Sequence, residues 1–270
     1  MRKPLVAVLG CGPSGLLAAY ALEQYSLPYA IFSKPFKSPL GGAQYSHVAI
    51  PGLHDQNEPE VMLTYKVDGD AETYHAKVYG DQVVPFVSFD NVSDGKQVPA
   101  WNLHKMYDTL WDMLEGKVNR LDIDPLRVEQ MVAGFDLVIS SIHLPAVCRA
   151  SVDPAVGHGF KSQTVRIYNS ALDENLSDNT IWYEGTRDHS YYRMSKIFGV
   201  GSTEWGANAP LPPLGDGVRT VNKPIWTDCD CFEGSNFLKV GRFGTWQKGI
   251  LTYHAYNAVI DKLMEMGVER

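Results

Sequence analysis

The sequence predicts an α/β fold, and three observations carry that expectation. An apolar run over residues 4–9 enters Gly10-Cys11-Gly12-Pro13-Ser14-Gly15 and then an apolar stretch over 16–22, which reads as buried strand, glycine turn and helix. Two further apolar runs, 27–33 and 135–142, read as parallel strands returning to the first. A second glycine-punctuated segment, 236–249, again passes from strand through a glycine loop into a helix from about 250 to 266. The expected architecture is a Rossmann-like domain built discontinuously from residues 1–44, 131–150 and 235–270, with a β-rich α+β region inserted as 45–130 and 151–234.

The first glycine spacing is that of a dinucleotide fingerprint. Gly10 permits the tight turn, Gly12 lets backbone approach a pyrophosphate, and Gly15 lets the helix pack close to the strand. Pro13 and Ser14 lie in this turn among the expected cofactor contacts, and the free N–H groups at the start of the helix that follows face the phosphates. At the end of the second strand the fingerprint usually carries an acid for the ribose hydroxyls; here Ser33 or Lys34 takes that place. Ser33 keeps a hydroxyl able to bond a ribose. Lys34 and Lys37 either meet a 2′-phosphate, which favours NADP, or stand as solvated lysines. Gly41-Gly42, followed by Gln44, lies where a second glycine doublet approaches the cofactor in FAD proteins, and this favours FAD.

The inserted region changes character. Residues 61–67, Asp68-Gly69-Asp70 and 73–79 read as a hairpin around an Asp-Gly turn, and 83–89 as another strand. Asp94-Gly95-Lys96 is a turn signal. Asn102 is placed to cap a helix whose apolar face is Leu103, Met106, Tyr107, Leu110, Trp111 and Leu114. Strands are expected at 164–168 and 180–183, with glycine- and proline-rich loops around 206–217.

Composition narrows the function classes. The chain of 270 residues is 44% hydrophobic and 20% charged, as in ordinary globular proteins. No run approaches the length of a membrane span, and the first strand begins almost at the N-terminus, so neither membrane nor secretory signal is expected. A net charge of −7 without a basic stripe does not indicate nucleic acid. Four cysteines in a chain this long point to a reducing, cytoplasmic setting. The expected partner is a small-molecule substrate.

The motif order resembles FAD proteins of the amine-oxidase and UDP-galactopyranose-mutase kind. It is carried by residues 6–15, Gly41-Gly42, residues 135–142 and Val240-Gly241-Arg242-Phe243-Gly244-Thr245-Trp246. The resemblance implies an FAD held by the first glycine loop, Ser141 and the Gly241-Arg242 segment. Arg242 would lie against the phosphates and ribityl chain, and the helix entered through Gly249 and Ile250 would point at the flavin ring. Two shorter matches, 94–103 and 189–195, look closer to the mutase branch, whose Tyr-x-Arg strand turns its arginine to the active site; here that residue is Arg193. The stretch from Asn102 to Phe135 leaves room for one long helix and a connection, so the family's helical substrate domain is expected to be trimmed or absent.

A flavin supplies the hard chemistry and the protein supplies orientation and electrostatics. Arg193 is a candidate for binding an anionic substrate group or stabilising charge on reduced flavin, against the plainer reading of an ion pair. Tyr191 and Tyr192 precede it, and one of them, with Tyr192 the catalytic candidate, either points inward to the site or packs in the core. His47, just past the glycine doublet, is a candidate acid or base. Trp246 would wall the flavin and Lys248 would compensate charge, or both serve loop packing. Cys229-Asp230-Cys231 offers two metal ligands where sites need four, with no histidine near in sequence, so no metal is expected; Cys11 reads as small filler. The expected function is an FAD-dependent oxidoreductase oxidising a small polar amine or alcohol. The alternatives are a mutase or lyase using flavin N5 chemistry, an NADP-dependent reductase, or a non-catalytic nucleotide-binding subunit.

Overall fold

The computed structural model describes residues 2–34, 37, 40–80, 92–153, 155–213 and 217–270. The chain forms two compact units: Met1–Pro39, Lys105–Lys161 and Pro224–Arg270 make the first, Leu40–His104 and Ser162–Lys223 the second. This division puts residues 105–130 with the glycine-loop unit.

The first unit is a Rossmann-like layer of five parallel strands. In chain order these are β1 (Val6–Leu9), β2 (Tyr29–Ser33), β6 (Val118–Arg120), β7 (Leu137–Ser140) and β13 (Phe237–Lys239), and they lie side by side as β13-β7-β1-β2-β6. Val6 is in register with Tyr29 on one side and Leu137 on the other. Every residue of β1 and β7 is buried, which explains their continuous apolar runs. The first helix, α1 (Pro13–Gln24), is apolar all round and buries Gly15 through Leu22. Leu16, Leu17 and Leu22 are fully buried there, each contributing about 1.5–3 kcal/mol of burial. The C-terminal helix, α7 (Thr252–Glu265), covers α1, with Tyr20 and Tyr256 ring centroids 6.3 Å apart.

Between Asn102 and Phe135 the structure holds more than the one helix expected from sequence. α3 (Leu103–Leu114) is followed by a 3-10 turn, β6 and a further helix, α4 (Pro125–Gly134). The start of α4 is an Asp-Pro signal: the Asp124 carboxylate accepts from the Arg127 N–H at 2.7 Å and Pro125 occupies the first turn.

The second unit is built on one mixed sheet. Its strands are β3 (Tyr45–Ser46), β4 (Val61–Gly69), β5 (Gln97–Asn102), β8 (Phe160–Tyr168), β9 (Thr180–Gly185), β10 (Arg193–Ile197), β11 (Val200–Gly206) and β12 (Val218–Thr227), in the order β12-β8-β11-β10-β9-β4-β5-β3. β4 and β9 pair in parallel, and β9, β10 and β11 are antiparallel neighbours. The expected hairpin over 61–79 is corrected: its second arm is a helix, α2 (Ala71–Tyr79). The Asp70 carboxylate accepts from both the N–H and the hydroxyl of Thr73, at 2.8 and 3.0 Å, and this cap turns the chain into a helix despite its β-rich residues. Gly69, at φ +78°, runs so close to Gly185 that a Cβ would stand 2.1 Å from its carbonyl carbon. The expected strand at 83–89 lies outside the described residues.

Among the described residues no helix is long and apolar enough to cross a membrane.

Candidate functional site

Segments far apart in sequence meet in the first unit at the C-terminal ends of β1, β7 and β13. Gly10, at φ +97°, makes the turn after β1, and its N–H donates to the Phe32 carbonyl at 2.8 Å. A Cβ on Gly15 would stand 2.0 Å from the Gly10 carbonyl oxygen, so helix and turn approach as only glycine allows. Gly12 differs: nothing lies within 4 Å of where its Cβ would be. Gly12 is also the N-cap of α1 and has no side chain with which to cap it, while Pro13 fits the first turn.

Ser141 ends β7 by donating its hydroxyl to the Leu9 carbonyl at 3.1 Å. Gly241 (φ +69°) opens the short helix α6 (Gly241–Thr245), and a Cβ there would stand 2.4 Å from the Ser14 Oγ. A Cβ on Gly244 would come equally close to the Ser140 carbonyl oxygen, at 2.4 Å. The hydroxyl of Ser140 is buried with no hydrogen-bond partner among the described residues. The first glycine loop, the end of β7 and the Gly241 segment therefore interlock, and backbone rather than side chain faces the start of α1.

Other residues singled out from sequence are engaged by the protein. Ser33 is buried and accepts a hydrogen bond from the Cys11 thiol at 3.2 Å, so its hydroxyl faces Cys11. Lys34 pairs with Asp122 at 2.8 Å and Lys37 with Asp108 at 2.7 Å. Arg242 donates through Nε and Nη2 to the Pro224 carbonyl, at 3.1 and 2.8 Å. Trp246 is buried, donates to the Lys161 carbonyl at 3.0 Å and meets His143 and Phe160 edge to face; this is core packing. Lys248 has its pKa pushed down to about 8 by burial and then by the neighbouring Arg242. Gly249, at φ +85°, has open space around it and leads through Ile250 into α7.

In the second unit the glycine doublet is tied to the sheet. The Gly42 N–H donates to Asn169 Oδ1 at 2.9 Å, and its carbonyl lies 3.0 Å from His104 Nε2. Gln44 donates to the Gly41 carbonyl at 2.7 Å, and a Cβ on Gly42 would stand 2.6 Å from the Ser202 hydroxyl. His47 packs its ring 4.4 Å from that of Tyr45.

Arg193 and Tyr192 converge on one residue that sequence reasoning missed, Glu204. In the β10–β11 ladder Arg193 sits opposite Glu204, and its guanidinium forms an ion pair with that carboxylate. The Tyr192 hydroxyl donates to Glu204 Oε2 at 2.7 Å, and Lys223 reaches the same oxygen at 2.8 Å. Burial alone would favour the neutral acid, but Arg193 and Lys223 hold Glu204 well below the usual carboxylate range. Tyr74 and Tyr183 stand alongside, the latter with its pKa raised to about 12, mainly by burial. Arg193 is thus held in an ion pair, with a third of its side chain still exposed (32%).

No protein-family model and no curated protein matches this chain. Its fold is similar to that of several solved proteins, a flavin-dependent halogenase among them. A reduced UDP-galactopyranose mutase matches with TM-score 0.55 and 12% identity over 100% of this chain and 95% of that one. A flavin-dependent halogenase gives 0.58 and 13% over 99% of this chain and 60% of that one. The 2,6-dihydroxypyridine-3-hydroxylase of Arthrobacter nicotinovorans gives 0.51 and 12% over 96% and 82%. The fold is one that these solved proteins share.

Proposed function

We propose that the first unit binds FAD and that the protein is a flavin-dependent oxidoreductase acting on a small polar substrate. The observation that carries this reading is the interlock of the Gly10–Gly15 loop with Ser140-Ser141 and Gly241–Gly244 around an uncapped helix start. Open space at Gly12, an N-cap without a side chain at the start of α1, suits a pyrophosphate. Gly241 abuts Ser14 at that helix start, and the same segment carries the cations Arg242 and Lys248, which favour an anion. Lys34 and Lys37 each already have a carboxylate partner, which favours FAD over a cofactor with a 2′-phosphate.

FAD, when bound, supplies the hydride-transfer chemistry. The chain contributes binding and polarity. The backbone at Gly10, Gly12 and Gly15 would hold the phosphates, while Gly41, Gly42 and Gln44 present backbone fixed by Asn169 and His104. Arg193 is the candidate for an anionic substrate group, with Glu204 fixing its position and Tyr192 bonding the same carboxylate. His47 is the candidate for moving a proton.

Oxidation of an amine or alcohol is the finer reading, and the amine-oxidase-like order of motifs supports it. The match over 95% of a UDP-galactopyranose mutase favours, as a second reading, a redox-neutral mutase or lyase. Anaerobic mixing of the flavin-loaded protein with panels of amines and alcohols separates them. Bleaching of the oxidised-flavin band by a substrate supports the oxidoreductase. No bleaching by any of them, with turnover only after prior chemical reduction, overturns it in favour of the redox-neutral reading.

A further inference from the structure

Three of the four cysteines and one histidine converge in the first unit. Cys148 follows the short helix α5 (Leu144–Val147), His158 lies before β8, and Cys229 and Cys231 lie in the turn before β13. The Cys148 Sγ is 3.4 Å from that of Cys229, 3.5 Å from that of Cys231 and 3.1 Å from His158 Nδ1; Cys231 Sγ is 3.5 Å from the same nitrogen. All four ligand atoms lie within 4.8 Å of one another. A tetrahedron with metal–sulfur bonds of about 2.3 Å and a metal–nitrogen bond near 2.0 Å has edges of about 3.5–3.8 Å. A disulfide would account for only two of the three sulfurs and leave the histidine without a purpose there.

The surroundings are those of a metal site. His158 turns Nδ1 to the sulfurs, and its Nε2 lies 3.2 Å from the Asp230 carboxylate. That contact fixes the tautomer with Nδ1 as the free electron pair, the carboxylate–histidine arrangement that orients metal-bound imidazoles. The Ala150 N–H points at the Cys148 sulfur from 3.4 Å, and Lys239 holds the Cys229 carbonyl at 3.0 Å. Cys148 and Cys229 are buried, while Cys231 and His158 reach the surface in part, so an ion has a way in.

We propose that Cys148, His158, Cys229 and Cys231 form a structural zinc site of the Cys₃His type. Binding displaces three thiol protons to solvent and leaves a ZnS₃N centre of net charge −1, with no change of oxidation state. Four protein ligands close the coordination sphere, which is the mark of a structural rather than a catalytic zinc. The site ties the turn after β7 to the turn before β13, and β13 delivers Gly241. The sequence alone concealed it, because the C-x-C pair meets its other two ligands only through the fold.

The test uses the full chain, purified under reducing conditions and loaded with Zn²⁺ alone. The expected result is one zinc per chain that survives desalting, with X-ray absorption fitting three sulfurs and one nitrogen. Replacement by Co²⁺ should give the visible bands of a tetrahedral thiolate site. Zinc should also shield Cys148, Cys229 and Cys231 from a thiol reagent that modifies them in the zinc-free protein. Asp230→Asn, at a positioning residue outside the coordination sphere, should weaken zinc about 10–100-fold in chelator competition with the Co²⁺ spectrum retained. Fully reduced protein that holds well under one equivalent of zinc and gives no Co²⁺ bands overturns the proposal. So does a native disulfide among Cys148, Cys229 and Cys231, and so does a Cys148→Ser variant that keeps full zinc stoichiometry.

Discussion

Gly241 runs its backbone against the side chain of Ser14: a Cβ at Gly241 would stand 2.4 Å from the Ser14 hydroxyl oxygen. The contact joins the first glycine loop to a segment at the other end of the chain, and Gly241 also holds φ at +69°. Gly241→Ala should therefore destabilise the protein by about 1–3 kcal/mol through the strained backbone and displace Ser14 at the helix start. Adding Ser14→Gly removes the clash but not the strain. The double variant should recover part of the lost stability in chemical denaturation, and equal losses in the single and double variants would show that the two residues are not coupled.

The glycines of the first loop should separate by role. Gly12 has open space and an ordinary φ of −71°. Gly12→Val should leave the melting temperature of cofactor-free protein within a degree or two while reducing FAD affinity at least about 10-fold, a loss of roughly 1.4 kcal/mol. Gly15 abuts the Gly10 carbonyl, so Gly15→Ala should lower the stability of the cofactor-free protein itself. Thermal melts with and without FAD distinguish the two.

Lys248 makes the stability of the cofactor-free protein pH-dependent. Its folded pKa is about 8, lowered by burial and by Arg242 from the usual lysine value of 10.5. Between those values the unfolded chain binds more protons, so stability should rise with pH across that window and carry the full cost below pH 8. The side chain is partly exposed, so the effect is about 1–2 kcal/mol after solvent screening. Lys248→Met should remove the rise and stabilise the cofactor-free protein at pH 7. The same variant should weaken FAD binding, where a cation near an anion is favourable.

Glu204 carries the opposite dependence. Its folded pKa is depressed, so its contribution is present above the ordinary glutamate range and is lost as pH falls toward the folded value. Glu204→Gln leaves Arg193 and Lys223 beside each other without a carboxylate and should cost about 3–5 kcal/mol. Tyr192→Phe removes one hydrogen bond to a charged acceptor and should cost about 1.5–3 kcal/mol. Urea denaturation at pH 7 and pH 4 should show the difference between wild type and Glu204→Gln shrinking in acid.

The parts of this fold that were legible in sequence are those whose pattern is local. The runs at 4–9 and 135–142 became β1 and β7 because strands buried on both faces need uninterrupted apolar residues. The glycine loop was legible because close backbone approach leaves glycine as the residue that fits. Residues 73–79 misled because Tyr, Val and Thr favour strands, whereas the Asp70 cap and packing of Tyr74 against Tyr183 and Tyr192 decided for a helix. Asp70 followed three residues later by Thr73 was a cap signal that the Asp-Gly turn masked. The partners of the candidate site residues were not legible, because Glu204 meets Arg193, and Cys11 meets Ser33, through strand register and sheet order. Trp246 likewise lies in a recognisable motif, but its neighbours Lys161 and His143 come from distant segments and make it core.

The most direct test of the account is a titration of the cofactor-free protein with FAD, followed by flavin absorbance and calorimetry, with NADP as the comparison. The account predicts one FAD per chain, loss of binding in Gly12→Val, and no comparable affinity for NADP. Protein that is folded by circular dichroism, binds no FAD and either binds NADP or binds neither nucleotide would contradict it.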